Sequence, residues 1–394
     1  MTVTDRQGGI ALAEIRRRGR ARTALALTGP AFVASVAYAD PGNFATNFAA
    51  GGSYGYQLVW VVVMANIMAI LVQYLAAKVG LSTGRNLAEL CRHQYTRRVN
   101  VMLWLQAEIV AMATDLSEFV GAAVGLNLVF GLPLLAAGIV TAGAAFGLLS
   151  LQQRGYRRFE LAIIAMVALV RIGVIYMFVI VGHQQYGQLS AGLFPRLTDS
   201  ESVSLAVSIV GATVMPHAVY RHSTLHIDRV RAVTIEDRRT LLRFSTWDCI
   251  VGLGLAGLVN LAMLCIAAAL FHRPGLTDIT ELGSVHRHLA SHLGQGVAFA
   301  FAVALLISGL SSSSVGTYAG QVVMAGFMNW RIPLMVRRAL TVLPSLIVLA
   351  LATDTTQALV LSQVVLSFGI PFALVPLVLL SHRSEVMAEM VNRK

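Results

Sequence analysis

The chain has 394 residues, of which 56% are hydrophobic and only 12% charged. A soluble domain carries about twice that charged fraction, so composition points to an integral membrane protein. The net charge of +11 does not mark a nucleic-acid binder, because Arg16–Arg18, Arg97–Arg98, Arg157–Arg158, Arg238–Arg239 and Arg337–Arg338 fall in alternate loops or at their edges. The other loops hold just Arg196, Arg273 and Arg287, a positive-inside bias that predicts a cytoplasmic N-terminus. No cleavable signal peptide is expected, since the first 22 residues hold six arginines and no apolar core.

A window of about 20 apolar residues marks ten spans, near 24–50, 55–80, 99–129, 132–151, 159–181, 202–222, 243–271, 293–325, 333–352 and 356–381. Ten spans with basic ends place both termini in the cytoplasm. Grouped as five plus five, an odd number per half inverts the second half relative to the first. The expected organisation is a basic N-terminus (1–23), a first five-helix repeat (24–181), an extracellular loop (182–201), a second repeat (202–381) and a cytoplasmic tail (382–394). The 221–243 stretch, with six arginines, reads as a cytoplasmic connector. Cys91, Cys249 and Cys265 lack a CxxC spacing and predict no disulfide.

Span one is interrupted by Asp40-Pro41-Gly42-Asn43. Proline removes a backbone donor and glycine tolerates unusual dihedrals, so the helix should break there and expose carbonyls such as that of Ala37. Lipid tolerates such a break only where it is buried in protein or lines a cavity. Span six has a second break at Met215-Pro216-His217, with the carbonyl of Ala212 similarly placed. Two interrupted helices at matching places in two halves are the signature of a secondary transporter. Asp40 and Asn43 offer hard oxygens and Met215 a thioether, a set that suits a divalent first-row transition ion better than Mg²⁺ or Ca²⁺. Taken alone, a methionine in an apolar helix is a packing residue; its place just before Pro216, opposite the break that carries Asp40, makes the ligand reading as strong as packing.

Span three carries Glu108, Asp115 and Glu118 within about 80° of one another on a helix. His222 follows Met215 by seven positions, and span nine opens with Arg337 and Arg338. This set is either a proton relay, histidine titrating near neutral pH, or a static ion-pair network between helices. Asp248 and Asn260 in span seven face a vestibule or bond neighbouring helices. Arg171, mid-span five, needs a partner, and Ser308–Thr317 reads as close helix packing. His286, His288 and His292 sit in an outward loop; the last two have helical i,i+4 metal spacing but no carboxylate to complete a set.

Asp40-Pro-Gly-Asn43, Ala113-Thr-Asp-Leu-Ser-Glu-Phe-Val-Gly121 and Gly211-Ala-Thr-Val-Met-Pro-His217, with Gly316–Gln321 and Ser362–Ser367, resemble the NRAMP family of proton-coupled divalent metal transporters. The resemblance runs from about 24 to 391. It implies an all-α, leucine-transporter-like fold of two inverted five-helix repeats with helices one and six broken. It implies a multi-pass protein of the cytoplasmic membrane that imports Mn²⁺, and Fe²⁺ as well, with H⁺ as coupling ion. The implied metal ligands are Asp40, Asn43, Met215 and the carbonyls of Ala37 and Ala212. Asp40, Asp115, Glu118, His217 and His222 would move protons, with Arg337 and Arg338 near the exit. Ala218, Arg221, Leu310 and Gly369 depart from the family pattern, Gly369 standing where a span-ten glutamine often approaches the metal. The chain stops where an eleventh helix would normally begin. No enzyme, cofactor or nucleic-acid partner is implied; the partners are the ion, protons and lipid, and nothing specifies an oligomeric state. The competing reading is a sodium- or proton-coupled symporter of an organic substrate, such as an amino acid, on the same fold.

Overall fold

The computed structural model describes residues 10–11, 38–153, 156–225, 230–231, 234–272, 281–330, 332–351 and 354–392. Apart from a two-residue parallel pairing of β1 (Ile10–Ala11) with β2 (Val230–Arg231), the regular structure of these residues is helical. Seven described helices are long and apolar enough to cross a bilayer, and Leu134–Leu148 is a shorter apolar one.

The first broken span appears as α1 (Pro41–Tyr54); its preceding half lies outside the described residues. Next come α2 (Val59–Thr83), a short α3 (Leu87–Gln94), α4 (Arg97–Phe130), α5 (Leu134–Gln153), α6 (Tyr156–Val181) and a six-residue α7 (Tyr186–Ala191). Span six is α8 (Ser200–Thr213) and α9 (Pro216–Leu225), separated at Val214-Met215. The remainder is α10 (Ile235–Phe271), α11 (Leu282–Leu293), α12 (Gln295–Met328), α13 (Leu334–Ala350) and α14 (Thr355–Ser381). A short α15 (Ser384–Met387) and a 3-10 turn over Ala388–Met390 follow.

Three differences from the sequence reading have local causes. The connector before span seven is partly helical: α10 starts at Ile235, capped by Thr234, whose side chain accepts from Asp237 N while Asp237 reaches back to Thr234 N. The three histidines before span eight lie on α11, not in a loop; the helix buries Leu282, Val285 and Leu289 along one stripe. The segment after span ten is packed. Met387 and Met390 are buried, Lys78 donates to Asn392 Oδ1, and Asn392 N donates to Ser381 O at 3.2 Å.

Burial is distributed as a bilayer requires. Large apolar side chains such as Leu71, Met102, Leu169, Ile172 and Phe368 face outward, whereas Asp40, Asn43, Asp115, Glu118, Asp248, Arg337 and Arg338 are buried. Helices α4 and α12 pack together along their length. Gly309 makes that approach possible, because a Cβ there would collide with the Glu118 carbonyl and Ala122. Phe44 and Phe48 of α1 wedge against Phe301 of α12, with ring centroids 6.1 and 5.2 Å away. The far end of α1 is tied to the start of α8, where Tyr54 donates to Asp199 Oδ1 at 2.7 Å. The bond from Ser202 N, with that from Tyr54, holds the Asp199 carboxyl below the usual carboxylate range.

Candidate functional site

At the first break Asp40 has an extended backbone and caps α1, with Pro41 at the first helical position. Its Oδ1 accepts from Asn43 N at 2.8 Å and from Asn43 Nδ2 at 2.7 Å. The same Nδ2 donates to the Ala212 carbonyl at 3.1 Å, so Asn43 joins the two breaks directly. Both partners are acceptors, which fixes the amide orientation and points Asn43 Oδ1 elsewhere. Asp40 Oδ2 and Asn43 Oδ1 are buried, and no described residue donates to either. Buried acceptors without donors are costly, and such atoms suit a cation.

The second break is set by Pro216, which cannot donate to the preceding turn. Val214 ends α8 with a non-helical backbone, and Met215 follows, wholly buried. Met215 also belongs to an apolar cluster with Tyr38, Val110 and Leu366, so packing and an ion-facing sulfur are not exclusive. Ala212 keeps a second carbonyl lone pair beside the bond from Asn43. Ala37 lies outside the described residues.

The carbonyls freed just before Asp40 are satisfied by side chains from other helices. Asn260 Nδ2 of α10 donates to Tyr38 O at 3.0 Å, and Ser308 of α12 donates to Ala39 O. Gln73 of α2 donates to the Tyr38 hydroxyl at 2.5 Å. Asn260 is thus an interhelical partner, and the serine stretch both packs and bonds.

Gln363 of α14 is the glutamine that approaches the break. It lies against Gly42, where a Cβ would collide with it, and its Nε2 donates to Ser117 Oγ at 2.9 Å. Its Oε1 is buried without a donor. The absence read at Gly369 therefore concerns a different turn of the helix: Gly369 faces Val110, Gln106 and Pro216. An amide in an apolar helix gives no local signal of its role.

The charged residues of span three pair with span nine. Arg338 Nη1 lies 3.6 Å from Asp115 Oδ1, and Arg337 Nη2 is 2.5 Å from Glu108 Oε1. Arg338 also donates to Thr317 Oγ1 at 3.4 Å and to Ser313 Oγ. Glu118 is close enough to Asp115 and Asp40 for their charges to interact, and Ser312 is the hydroxyl nearest to hand for its carboxylate. Gly316 leaves room for these two carboxylates, since a Cβ there would collide with Glu118.

Thr114 donates its hydroxyl to Val110 O at 2.9 Å, so at the 3.3 Å contact with His217 Nδ1 the ring is the donor. His222 Nε2 instead lies 3.5 Å from Cys249 Sγ on α10. The carboxylates and arginines form one network; His217 borders it through Thr114, and His222 faces another helix. Arg221 places its guanidinium 5.6 Å from the centre of the Tyr318 ring.

The model of the family described as "Natural resistance-associated macrophage protein-like" (Nramp) matches residues 31–394. The chain belongs to the Nramp family. It is 48% identical over 374 residues to the divalent metal cation transporter MntH of Deinococcus radiodurans, covering 95% of this chain and 85% of that one. Against MntH of Bacillus subtilis the identity is 46% over 375 residues, covering 95% and 88%. Among solved structures, a manganese transporter of Eremococcus coleocola superposes with a TM-score of 0.84 at 30% identity, covering 95% of this chain and 82% of that one. MhsT, solved with L-phenylalanine, superposes at 0.58 with 13% identity, covering 92% and 91%, and bears on the fold alone. This Nramp chain is a multi-pass membrane transporter with a leucine-transporter-like fold of two inverted five-helix repeats, helix six being broken within the described residues.

Proposed function

We propose that this Nramp protein imports Mn²⁺, and Fe²⁺ as well, across the cytoplasmic membrane in symport with protons. The observation that carries this reading is the pair of buried acceptors to which no described residue donates, Asp40 Oδ2 and Asn43 Oδ1, at a break bonded to the opposite break through Ala212. Asp40, Asn43, Met215 and the carbonyls of Ala37 and Ala212 hold the ion, and the sulfur favours a first-row transition metal over Mg²⁺ or Ca²⁺. Glu118, Asp115 and Arg338, then Arg337 and Glu108, offer protons a path along α4, separate from the metal's. His217 and His222 accompany that path from α9.

The arginine distribution supports an orientation with both termini in the cytoplasm, and repeats over 24–181 and 202–381 rock about the midplane site. The chain's partners are then the metal ion, protons and lipid, with no resident cofactor and no catalytic step. An organic anion as substrate is disfavoured by a carboxylate and a thioether at the breaks.

Asp40→Ala should abolish Mn²⁺ uptake into proteoliposomes while leaving the protein folded. A fully active variant would sink the site.

A further inference from the structure

The arginine bias along the chain explains why cations gather on one side of a bilayer, but not how they are placed around the start of α4. Residues 85–98 hold Arg85, Arg92, His93, Arg97 and Arg98 against a single acid, Glu89, whose carboxylate accepts from Asn86 N at 3.0 Å. The fold draws these cations together. Partial burial, and then the guanidinium groups of Arg85 and Arg92, hold His93 below the usual histidine range. Arg383 adds a further cation, donating to Gln94 Oε1 at 3.3 Å. Arg92 donates to Ala325 O at 3.4 Å and Asn100 Nδ2 to Phe327 O at 2.9 Å, which fixes the corner to the end of α12.

Arg97 and Arg98 are exposed and open α4, whose first turn holds no acid. Cations at the positive end of a helix dipole are locally unfavourable. Helices α3 and α10 instead begin with acids, Glu89 in one and Glu236 and Asp237 in the other. A bound anion removes that conflict. Along α4 from Arg98 runs an exposed apolar stripe, Met102, Leu105, Ile109 and Met112, each three or four positions beyond the last and so on one face. From Arg98 to Ile109 is about 16 Å along a helix, and one leaflet of hydrocarbon is about 15 Å deep.

We propose that the α3–α4 corner binds an anionic phospholipid, its phosphate held by Arg85, Arg92, His93, Arg97 and Arg98 and an acyl chain lying along Met102, Leu105 and Ile109. A lipid of net negative charge fits, because the ammonium of a zwitterionic headgroup meets repulsion from the same arginines. The proposed orientation of the chain only sets the leaflet, which is the inner one; binding itself rests on neither orientation nor transport.

The test titrates the full-length protein in detergent with phosphatidylglycerol and reads lipid occupancy by native mass spectrometry, with phosphatidylcholine as reference. Phosphatidylglycerol should bind in preference, and equal glycerol phosphate should not displace it. Arg97→Gln with Arg98→Gln should weaken phosphatidylglycerol binding by about thirtyfold, the scale of two arginines at a lipid surface. Phosphatidylcholine binding should not change. Arg97→Lys with Arg98→Lys keeps both charges and should retain most of the affinity. Arg239→Gln with Arg243→Gln removes equal charge from exposed positions on α10 and should leave the affinity unchanged. No preference over phosphatidylcholine, displacement by glycerol phosphate, equal loss from the α10 pair, or loss in the lysine pair would each overturn the site.

Discussion

Met215, Asn260 and Arg338 present three distinct chemistries (a thioether, an amide donor and a guanidinium), and each can be isolated by substitution. If the Met215 sulfur faces the ion, Met215→Ala removes the one ligand that hard cations gain nothing from. Mn²⁺ uptake should persist in that variant while Ca²⁺ or Mg²⁺ becomes an effective competitor. Equal loss for all ions would return Met215 to packing. Asn260 donates to the Tyr38 carbonyl beside the break, so Asn260→Ala leaves a buried carbonyl short of its donor, a loss of about 1–3 kcal/mol. Thermal unfolding in detergent should show that loss, with Mn²⁺ uptake reduced as the break loosens. Arg338→Ala strands the buried Asp115 carboxylate, and breaking such a pair costs about 3–5 kcal/mol. Its melting temperature should fall more than that of Asn260→Ala, and Mn²⁺ uptake should lose its response to a proton gradient.

Between elements, the approach of α8 to α14 governs the geometry of the site. Gly211 presents no side chain where a Cβ would run into the Gln363 carbonyl and Ser367 N. Gly211→Val should force the helices apart, an overpacking cost of about 1–3 kcal/mol, and withdraw Gln363 from Gly42. Mn²⁺ uptake should fall even though no proposed ligand is altered; unchanged uptake would show that Gln363 need not approach the break. This is also the scale at which the sequence is least explicit. The breaks at Pro41 and Pro216 are legible because a helix breaker inside an apolar run has few explanations. Gln363, Gln73 and Ser308 are not, since a single amide or hydroxyl in an apolar helix acquires meaning only from what faces it. An apolar window ignores polar turns and so does not mark the start of α10, although Thr234 and Asp237 are a capping pair visible in the sequence. That His222 meets Cys249 depends on which side of α9 faces α10, information that sequence spacing does not hold.

For the whole molecule, burial of charge inside an apolar exterior and two broken helices bonded at their breaks describe a transporter that must alternate its access. The described site is buried on all sides: Asp40, Asn43, Ala212 and Met215 are each at most 1% exposed. Ion entry and release both require helices around the breaks to move. Two elements packed against them, α4 and α14, carry the proposed proton-path carboxylates and Gln363, so moving the ion and moving the proton engage the same helices.

The central claim, metal import driven by protons, is tested most directly by Mn²⁺ uptake into sealed proteoliposomes containing a metal-sensitive dye. Uptake is compared with and without an inward proton gradient and with Mg²⁺ in excess. The account predicts uptake that rises with the gradient and resists Mg²⁺. Uptake indifferent to the gradient would contradict proton coupling and leave Asp115, Glu118 and Arg338 as structural partners; no uptake of Mn²⁺ would contradict the metal site itself.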